Sequence, residues 1–150
     1  MIGGKIQNYR NILRRYIRDY GENEDINRAV QVLERAKRDA LKAQDKTELI
    51  GYEGMASNAY FEVLPILILN QKTDFPFHGR NRRPPKDAVN AMLSFAYTLI
   101  ANDVAAALET VGLDPYVGFL HTLRPGRTSL ALDMMEELRA YLGDRFIFVV

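Results

Sequence analysis

Three acidic side chains in the last third of the chain are spaced to share one face of a helix. Asp133 lies three positions before Glu136 and four before Glu137, so the three carboxylates fall on neighbouring helical turns. Like charges at this spacing are mildly destabilising unless a cation lies between them, and hard divalent cations prefer carboxylate oxygens. The pattern therefore fits a metal site, although a solvated acidic helix face is its commoner origin.

A fourth acid, Glu53, is flanked by two glycines within a predicted helix. Gly51 and Gly54 each cost on the order of 1 kcal/mol of helix stability relative to alanine. Ala56 and Ala59 occupy neighbouring turns, so Glu53 lies on or beside an apolar stripe, where a carboxylate needs a partner or a raised pKa. Glu53 is either a metal ligand or acid–base group, or a surface glutamate beside glycines that pack helices.

His121 is one of two histidines and lies at the edge of a predicted loop, where functional groups concentrate. A lone histidine is more often a hydrogen-bonded structural residue than a catalytic one. His78, the other histidine, has no carboxylate pattern beside it. The chain contains no cysteine, so any metal ion would be held by oxygen and imidazole ligands.

An arginine- and proline-rich loop is predicted over residues 71–85. Loops of this length inside a compact domain are usually functional or disordered. Its arginines can contact phosphates, and Phe75 and Phe77 can stack on bases; the alternative is a loop pinned to the protein's own acids. The candidate DNA contacts are Arg80, Arg82, Arg83 and Lys86, together with Arg127 from a later loop.

Charge is unevenly distributed along a chain of ordinary composition, 47% hydrophobic and 26% charged, with a net charge of +1. Residues 5–19 and 71–87 are basic, whereas residues 133–144 are acidic. This arrangement suits a polyanion held near a metal site, although solvated helix faces produce the same pattern. The continuous apolar runs are too short to span a bilayer and no secretory signal is present, so we expect a cytoplasmic protein without a membrane anchor.

Hydrophobic periodicity predicts an all-α domain of about five to seven helices. A metal site formed by the candidate acids is expected to lie between helices. Pro65 is expected to kink or divide the third helix, and Asp114-Pro115 to open a further short helical segment. Glycines 21, 112 and 143 are expected to end helices, and residues 146–150 fit a strand or the start of a further element. The predicted helices cover residues 6–20, about 24–43, about 47–70, 84 to about 111, and 130–142.

The candidate residues fall within four segments: EGMASNAYF at 53–61, RNRRPPKDAVNAMLS at 80–94, VGFLH at 117–121 and GRTSLALDMME at 126–136. In this order and spacing they resemble the CRISPR-associated Cas1 integrases, and the resemblance extends from about residue 5 to residue 145. In that family the helical domain binds a divalent ion through a glutamate, a histidine and a later acid. The matching positions here are Glu53, His121 and Glu136, and Asp133 matches a further family acid near the metal.

The resemblance implies a metal-dependent DNA endonuclease and integrase that inserts new spacers into CRISPR arrays. The implied cofactor is Mn²⁺ or Mg²⁺, and a ligand set that includes imidazole favours Mn²⁺. The implied partners are spacer and repeat DNA, a Cas2 protein, in some systems a Cas4 nuclease, and a second copy in the full-length family. The alternative is a non-catalytic helical module that binds nucleic acid or protein.

The family's N-terminal β-rich domain and its C-terminal tail have no counterpart in this sequence. Residues 1–150 are therefore expected to form the helical catalytic domain alone.

Overall fold

The computed structural model describes residues 1–70 and 72–149, and the side chains of all of these except residue 149. Within these ranges the fold is all-helical, which confirms the predicted fold class. The elements are α1 (Ile2–Tyr20), α2 (Glu24–Ala40), α3 (Lys46–Leu67), α4 (Ala88–Thr110), α5 (Ser129–Leu138), a π-helical turn (Arg139–Asp144) and α6 (Arg145–Val149).

Helices α1, α2 and α3 pack together around the larger part of the core. Ile6 and Leu13 of α1 recur at helical spacing and are fully buried, as is Leu33 of α2. The rings of Tyr9 in α1 and Tyr60 in α3 stack with centroids 3.9 Å apart. Each such buried side chain contributes about 1.5–3 kcal/mol, so this core fixes the position of α3 relative to α1.

Side-chain caps set the starts of three helices. Asn23 accepts hydrogen bonds from the first turn of α2, Asp45 caps α3 and Asp87 caps α4. The prediction that Pro84-Pro85 opens the fourth helix is therefore wrong, because the Asp87 cap starts it at Ala88. The third helix ends at Leu67, earlier than predicted, and continues through Pro65 without being divided.

The C-terminal segment differs most from the expectation. Gly143 does not end the fifth helix; it lies in the π-helical turn, where a Cβ atom would come 2.9 Å from the Tyr97 ring. The absence of a side chain at Gly143 therefore allows the Tyr97 ring to pack closely against the backbone of this turn. Residues 145–149 are helical, so the strand interpretation is wrong over that range, and residue 150 lies outside the described residues.

Asp114 accepts a hydrogen bond from the Tyr116 N–H in a turn, so the predicted short helical segment that begins at Asp114-Pro115 is also wrong.

Helix α4 is the one described helix that is long and apolar enough to cross a bilayer by length and composition. We expected no such segment because only continuous apolar runs were considered. Core helices of soluble proteins meet the same criteria but are mostly buried, whereas 17% of this window of α4 is buried in the described structure. Helix α4 packs on α5 and on the π-helical turn. Its polar residues also bond within the protein: Asn90 binds the Gly79 carbonyl and Tyr97 binds Asp144.

Candidate active site

A buried lysine joins two of the predicted site residues. Lys5 of α1 is 2% exposed and contacts carboxylate oxygens of Glu53 in α3 and Glu136 in α5. Its Nζ lies 2.7 Å from Glu136 Oε2, an ion-pair distance, although that oxygen makes no hydrogen bond within the described residues. The other oxygen of Glu136 lies 2.9 Å from the guanidinium of Arg139. Three helices thus meet at a cluster of two acids and two bases.

The charges in this cluster stabilise one another. Burial alone would raise the pKa of Glu53, but the Lys5 charge, its hydrogen bond and a further bond from Ser57 lower it below the usual value. Burial alone would lower the pKa of Lys5, whereas its interactions with Tyr9, Glu136 and Glu53 raise it. Glu53 and Lys5 are therefore both ionised at neutral pH.

His121 and Asp133 form a second pair, one helical turn before Glu136. Asp133 is fully buried, and its Oδ1 lies 2.6 Å from His121 Nδ1. The same carboxylate accepts the backbone N–H groups of Phe119, Leu120 and His121 at 2.5, 2.8 and 3.0 Å. Burial raises the pKa of Asp133, but these hydrogen bonds outweigh it and hold that pKa below its ordinary value.

This pairing orients the imidazole. When the neutral ring donates its Nδ1–H to Asp133, the lone pair remains on Nε2, and metal-ligating histidines commonly use such a carboxylate partner. Gly118 allows the loop to approach α5 this closely, because a Cβ there would lie 2.7 Å from the Ser129 carbonyl carbon. Asp133 was predicted as a possible direct ligand, but its two oxygens are occupied by the loop and the imidazole.

The donor atoms fit a divalent cation by type, but they do not converge on one point. Within residues 1–70 and 72–149, no three His, Asp or Glu side chains come close enough to hold a metal ion together. Glu53 and Glu136 already surround a cation, the Lys5 ammonium, and Glu136 Oε2 is a buried oxygen without a hydrogen bond. Carboxylate oxygens and an oriented imidazole are ligands that Mn²⁺ accepts.

A basic cleft of about 760 Å³ opens beside His121. None of the arginines from the loops at 80–83 and 124–127 makes a salt bridge within the described part of the chain. Arg80, Arg82, Arg83 and Arg127 were predicted from the sequence as DNA contacts and line the cleft, whereas Lys86 does not. The arginines that line it are Arg80, Arg82, Arg83, Arg124, Arg127 and Arg139.

Arg80 is anchored by the protein itself. Its guanidinium donates to Asn90 Oδ1 at 2.8 Å, to the Asn81 carbonyl at 2.5 Å and to Ser94 Oγ at 3.3 Å. The loop is therefore pinned by amide and hydroxyl groups of its own and of α4, not by acids. Within the described part of this loop, Arg82 and Arg83 are therefore the arginines of the cleft whose side chains are not held by such hydrogen bonds.

Sequence reasoning missed Arg139, Arg124 and the role of Lys5. Lys5 was counted only as part of a basic segment, although it lies within the apolar stripe of α1, between Ile2 and Tyr9. A lysine on the buried face of an amphipathic helix is the signal that could have identified it, because lysine is rarely fully buried unless it is paired. Arg139 carries no such signal in the sequence.

A Cβ atom built on Gly51 or Gly54 would meet nothing within 4 Å beyond the backbone of its own helix, so neither glycine is needed for a close approach between described helices. We therefore expect Gly54→Ala to raise the free energy of unfolding by about 1 kcal/mol, through helix propensity alone. Urea denaturation measures this. Gly118→Ala is the contrasting variant and should be destabilising, since its Cβ meets backbone. Destabilisation by Gly54→Ala would show that this open face is occupied in solution.

The family model described as CRISPR associated protein Cas1 matches residues 1–150. The chain is 46% identical to the CRISPR-associated endonuclease Cas1 of Leptospira interrogans, covering 100% of this chain and 60% of that protein. It is 49% identical to such an endonuclease of Chlorobaculum tepidum, covering 96% and 43%. A Cas4 exonuclease/Cas1 endonuclease fusion of Rhodospirillum rubrum is 40% identical and is covered over 26% of its length. The chain thus spans less than two thirds of these relatives.

Solved structures agree. A Cas1 protein from Thermotoga maritima superposes with a TM-score of 0.80 at 28% identity, covering 99% of this chain and 44% of that one. A casposase bound to its integration product gives 0.76 at 27% identity, covering 99% and 42%. A chain of a partial Cas6-RT-Cas1–Cas2 complex gives 0.84 at 25% identity, covering 99% and 43%.

Proposed function

This chain belongs to the CRISPR-associated Cas1 family, and we propose that it is the helical catalytic part of a divalent-metal-dependent DNA endonuclease and integrase. Its role would be to insert new spacer DNA into CRISPR arrays. The observation that carries the proposal is the pairing of His121 with Asp133, one turn from Glu136, at the wall of an arginine-lined cleft.

The cleft supplies the contacts that a DNA backbone needs. Arginine binds phosphate through charge-assisted, often bidentate hydrogen bonds, and such contacts position a duplex without reading its sequence. Arg82, Arg83 and Arg127 are the proposed backbone contacts, and Arg124 joins them from the structure. Arg80 is proposed to hold its loop against α4 through its hydrogen bonds to Asn90 and Ser94. Lys86 remains a predicted DNA contact outside the cleft.

Phosphoryl transfer is the reaction class that these groups serve. Glu53, His121 and Glu136 are the proposed ligands of Mn²⁺ or Mg²⁺, which when bound would polarise the scissile phosphate and stabilise charge on its oxygens. Asp133 is now proposed as a positioning residue that orients His121, in place of direct ligation. Arg139 holds one oxygen of Glu136 and also faces the cleft. A DNA 3′-hydroxyl as nucleophile gives integration, and water gives cleavage.

The comparisons support partners of the same system. One structural neighbour is a Cas6-RT-Cas1–Cas2 complex, and some relatives are fusions with a Cas4 exonuclease. We propose that the protein carrying this domain works with a Cas2 protein, in some systems with a Cas4 nuclease, and as a homodimer at full length. Its place of action would be the cytoplasm, where the DNA substrate lies.

Strand transfer by the chain itself tests the proposal. A labelled oligonucleotide with a 3′-hydroxyl is incubated with a plasmid and Mn²⁺, beside the same oligonucleotide with a 3′-deoxy end. We expect labelled plasmid only with the 3′-hydroxyl, and a loss of at least roughly 100-fold in rate in His121→Ala and Glu136→Gln.

Glu137→Gln, on the exposed side of the same helix, is the matched control and should keep the parental rate. DNA binding without Mn²⁺-dependent transfer or cleavage would favour the non-catalytic module instead. Equal rates in the parent and in both site variants would also contradict the assignment of the site.

A further inference from the structure

We propose that Lys5 is a built-in counter-cation that holds Glu53 and Glu136 together before the metal ion arrives, and that metal binding displaces its ammonium group. The inference deepens the function proposed above and rests on its metal site. It assigns Lys5 as a positioning residue, not as a metal ligand.

The position of Lys5 leaves it few other partners. Its side chain is 2% exposed on the buried face of α1, flanked along that face by Ile2 and Tyr9. Glu53 and Glu136 are the two acids that it contacts within the described residues, and they come from different helices. Lysine is seldom buried so completely without pairing. The ammonium therefore occupies the place between the two carboxylates that a bridging cation would take.

The charge balance of the contacting groups favours a displacement. Glu53 and Glu136 contribute two negative charges, and Lys5 and Arg139 contribute two positive charges, so the charges of these four groups already sum to zero. Adding a divalent ion with both bases in place would create a net charge of about +2 in a partly buried site, which is unfavourable. Removing the Lys5 ammonium from the carboxylates lowers that excess and frees the oxygens for the metal.

The contacts around Lys5 are compatible with its release. Glu136 Oε2 faces the ammonium without hydrogen-bond geometry, so part of the pairing is only coulombic. Glu53 is 23% exposed, which gives an incoming ion access from solvent. The Lys5 Nζ lies 5.7 Å from the centroid of the Tyr9 ring, and that aromatic face can retain the ammonium by a cation–π interaction.

The test compares Mn²⁺ binding by the parent chain and by Lys5→Met, using electron paramagnetic resonance to count free Mn²⁺ and thermal melts in EDTA or Mn²⁺. We expect Lys5→Met to melt at a lower temperature in EDTA, because two carboxylates lose their cation. We expect it to bind Mn²⁺ at least about tenfold more tightly, because the competing charge is gone. The rise in melting temperature with Mn²⁺ should therefore exceed that of the parent.

Lys37→Met is the matched control. Lys37 also contacts α1, through Gln7 Oε1 at 2.7 Å, but has no carboxylate partner among the described residues. Its replacement should leave the Mn²⁺ affinity unchanged. Parental or weaker affinity in Lys5→Met would overturn the displacement model. Absence of Mn²⁺ binding in every variant, the parent included, would instead contradict the metal site of the proposed function.

A second measurement needs no substitution, and so does not depend on the folding of Lys5→Met. Lysine side chains labelled with ¹⁵N are observed by NMR in the parent chain, first in EDTA and then with Mg²⁺, which is diamagnetic. We expect one protected ammonium signal in EDTA, which shifts or broadens as Mg²⁺ binds. A protected signal that persists unchanged at saturating Mg²⁺ would show that Lys5 is not displaced.

Discussion

Asp133→Ala is expected to lower the free energy of unfolding by about 3–5 kcal/mol, the range found when one partner of a buried charged network is removed. The carboxylate binds three backbone N–H groups and the His121 ring, and all four lose their acceptor together. At this chain length the melting temperature should fall by roughly 10–20 °C. Chemical denaturation of the parent and the variant measures the difference.

The pH dependence has a definite sign. The pKa of Asp133 is lower in the folded chain than in the unfolded one, because the loop N–H groups and His121 favour its ionised form over the effect of burial. Its contribution is therefore present above the unfolded value, about 4, and is lost as pH falls through the folded value. The difference between parent and Asp133→Ala should shrink below about pH 4.

Glu137→Ala is the control on the same helix. Its carboxylate is 45% exposed, and exposed pairs contribute at most about 1 kcal/mol. A change of less than about 1 kcal/mol in Asp133→Ala would mean that the loop at 117–122 does not depend on this carboxylate, and that His121 is oriented by other groups.

The helices were predictable because local signals determine them. The apolar periodicity of α1 and α2 and the glycine that ends α1 at positive φ are properties of short segments. The errors arose where packing overrode a local signal. Gly143 has the sequence context of a glycine that ends a helix. The Tyr97 ring instead occupies the space that a Cβ atom would take, and the chain continues as helix. The resemblance to the Cas1 family is confirmed.

The candidate site was predictable in its residue types but not in its pairing. Spacing placed Asp133 and Glu136 on one helix face, but it could not show that Asp133 turns to the loop while Glu136 turns to α1. This difference in orientation arises from tertiary packing, because Lys5 and Glu136 are separated by most of the sequence. The ligand set of Glu53, His121 and Glu136 remains a prediction. Arg124 and Arg139 join the cleft only because two distant segments meet there.

The second large expected effect concerns Asp144. Its ionisation changes the stability of the fold with pH in the opposite direction to that of Asp133. Asp144 is fully buried beneath α4, and its Oδ1 accepts a hydrogen bond of 2.5 Å from the Tyr97 hydroxyl. Burial raises its pKa to about 6, although the hydrogen bond from Tyr97, the nearby Tyr60 hydroxyl and the charges of Arg139 and Lys5 partly oppose the shift. The folded chain therefore holds a proton that the unfolded chain releases near pH 4.

Stability should accordingly fall as pH rises between about 4 and 6, by about 3 kcal/mol in total from this group. Asp144→Asn keeps an oxygen acceptor for Tyr97 and removes the ionisation. We expect the variant and the parent to be similar in stability at pH 4, and the variant to be more stable by up to about 3 kcal/mol at pH 7.5. Urea denaturation across this pH range measures the difference.

Asp103→Asn is the matched control, because Asp103 is an exposed acid on α4, and its pH profile should parallel that of the parent. Parallel profiles for Asp144→Asn and the parent would show that Asp144 ionises in the folded chain as readily as in the unfolded one. The expected divergence would instead show that burial dominates over Arg139 and Lys5. The positive charge of those two bases would then be balanced mainly by Glu53 and Glu136, the two carboxylates that the proposed metal ion would share with Lys5.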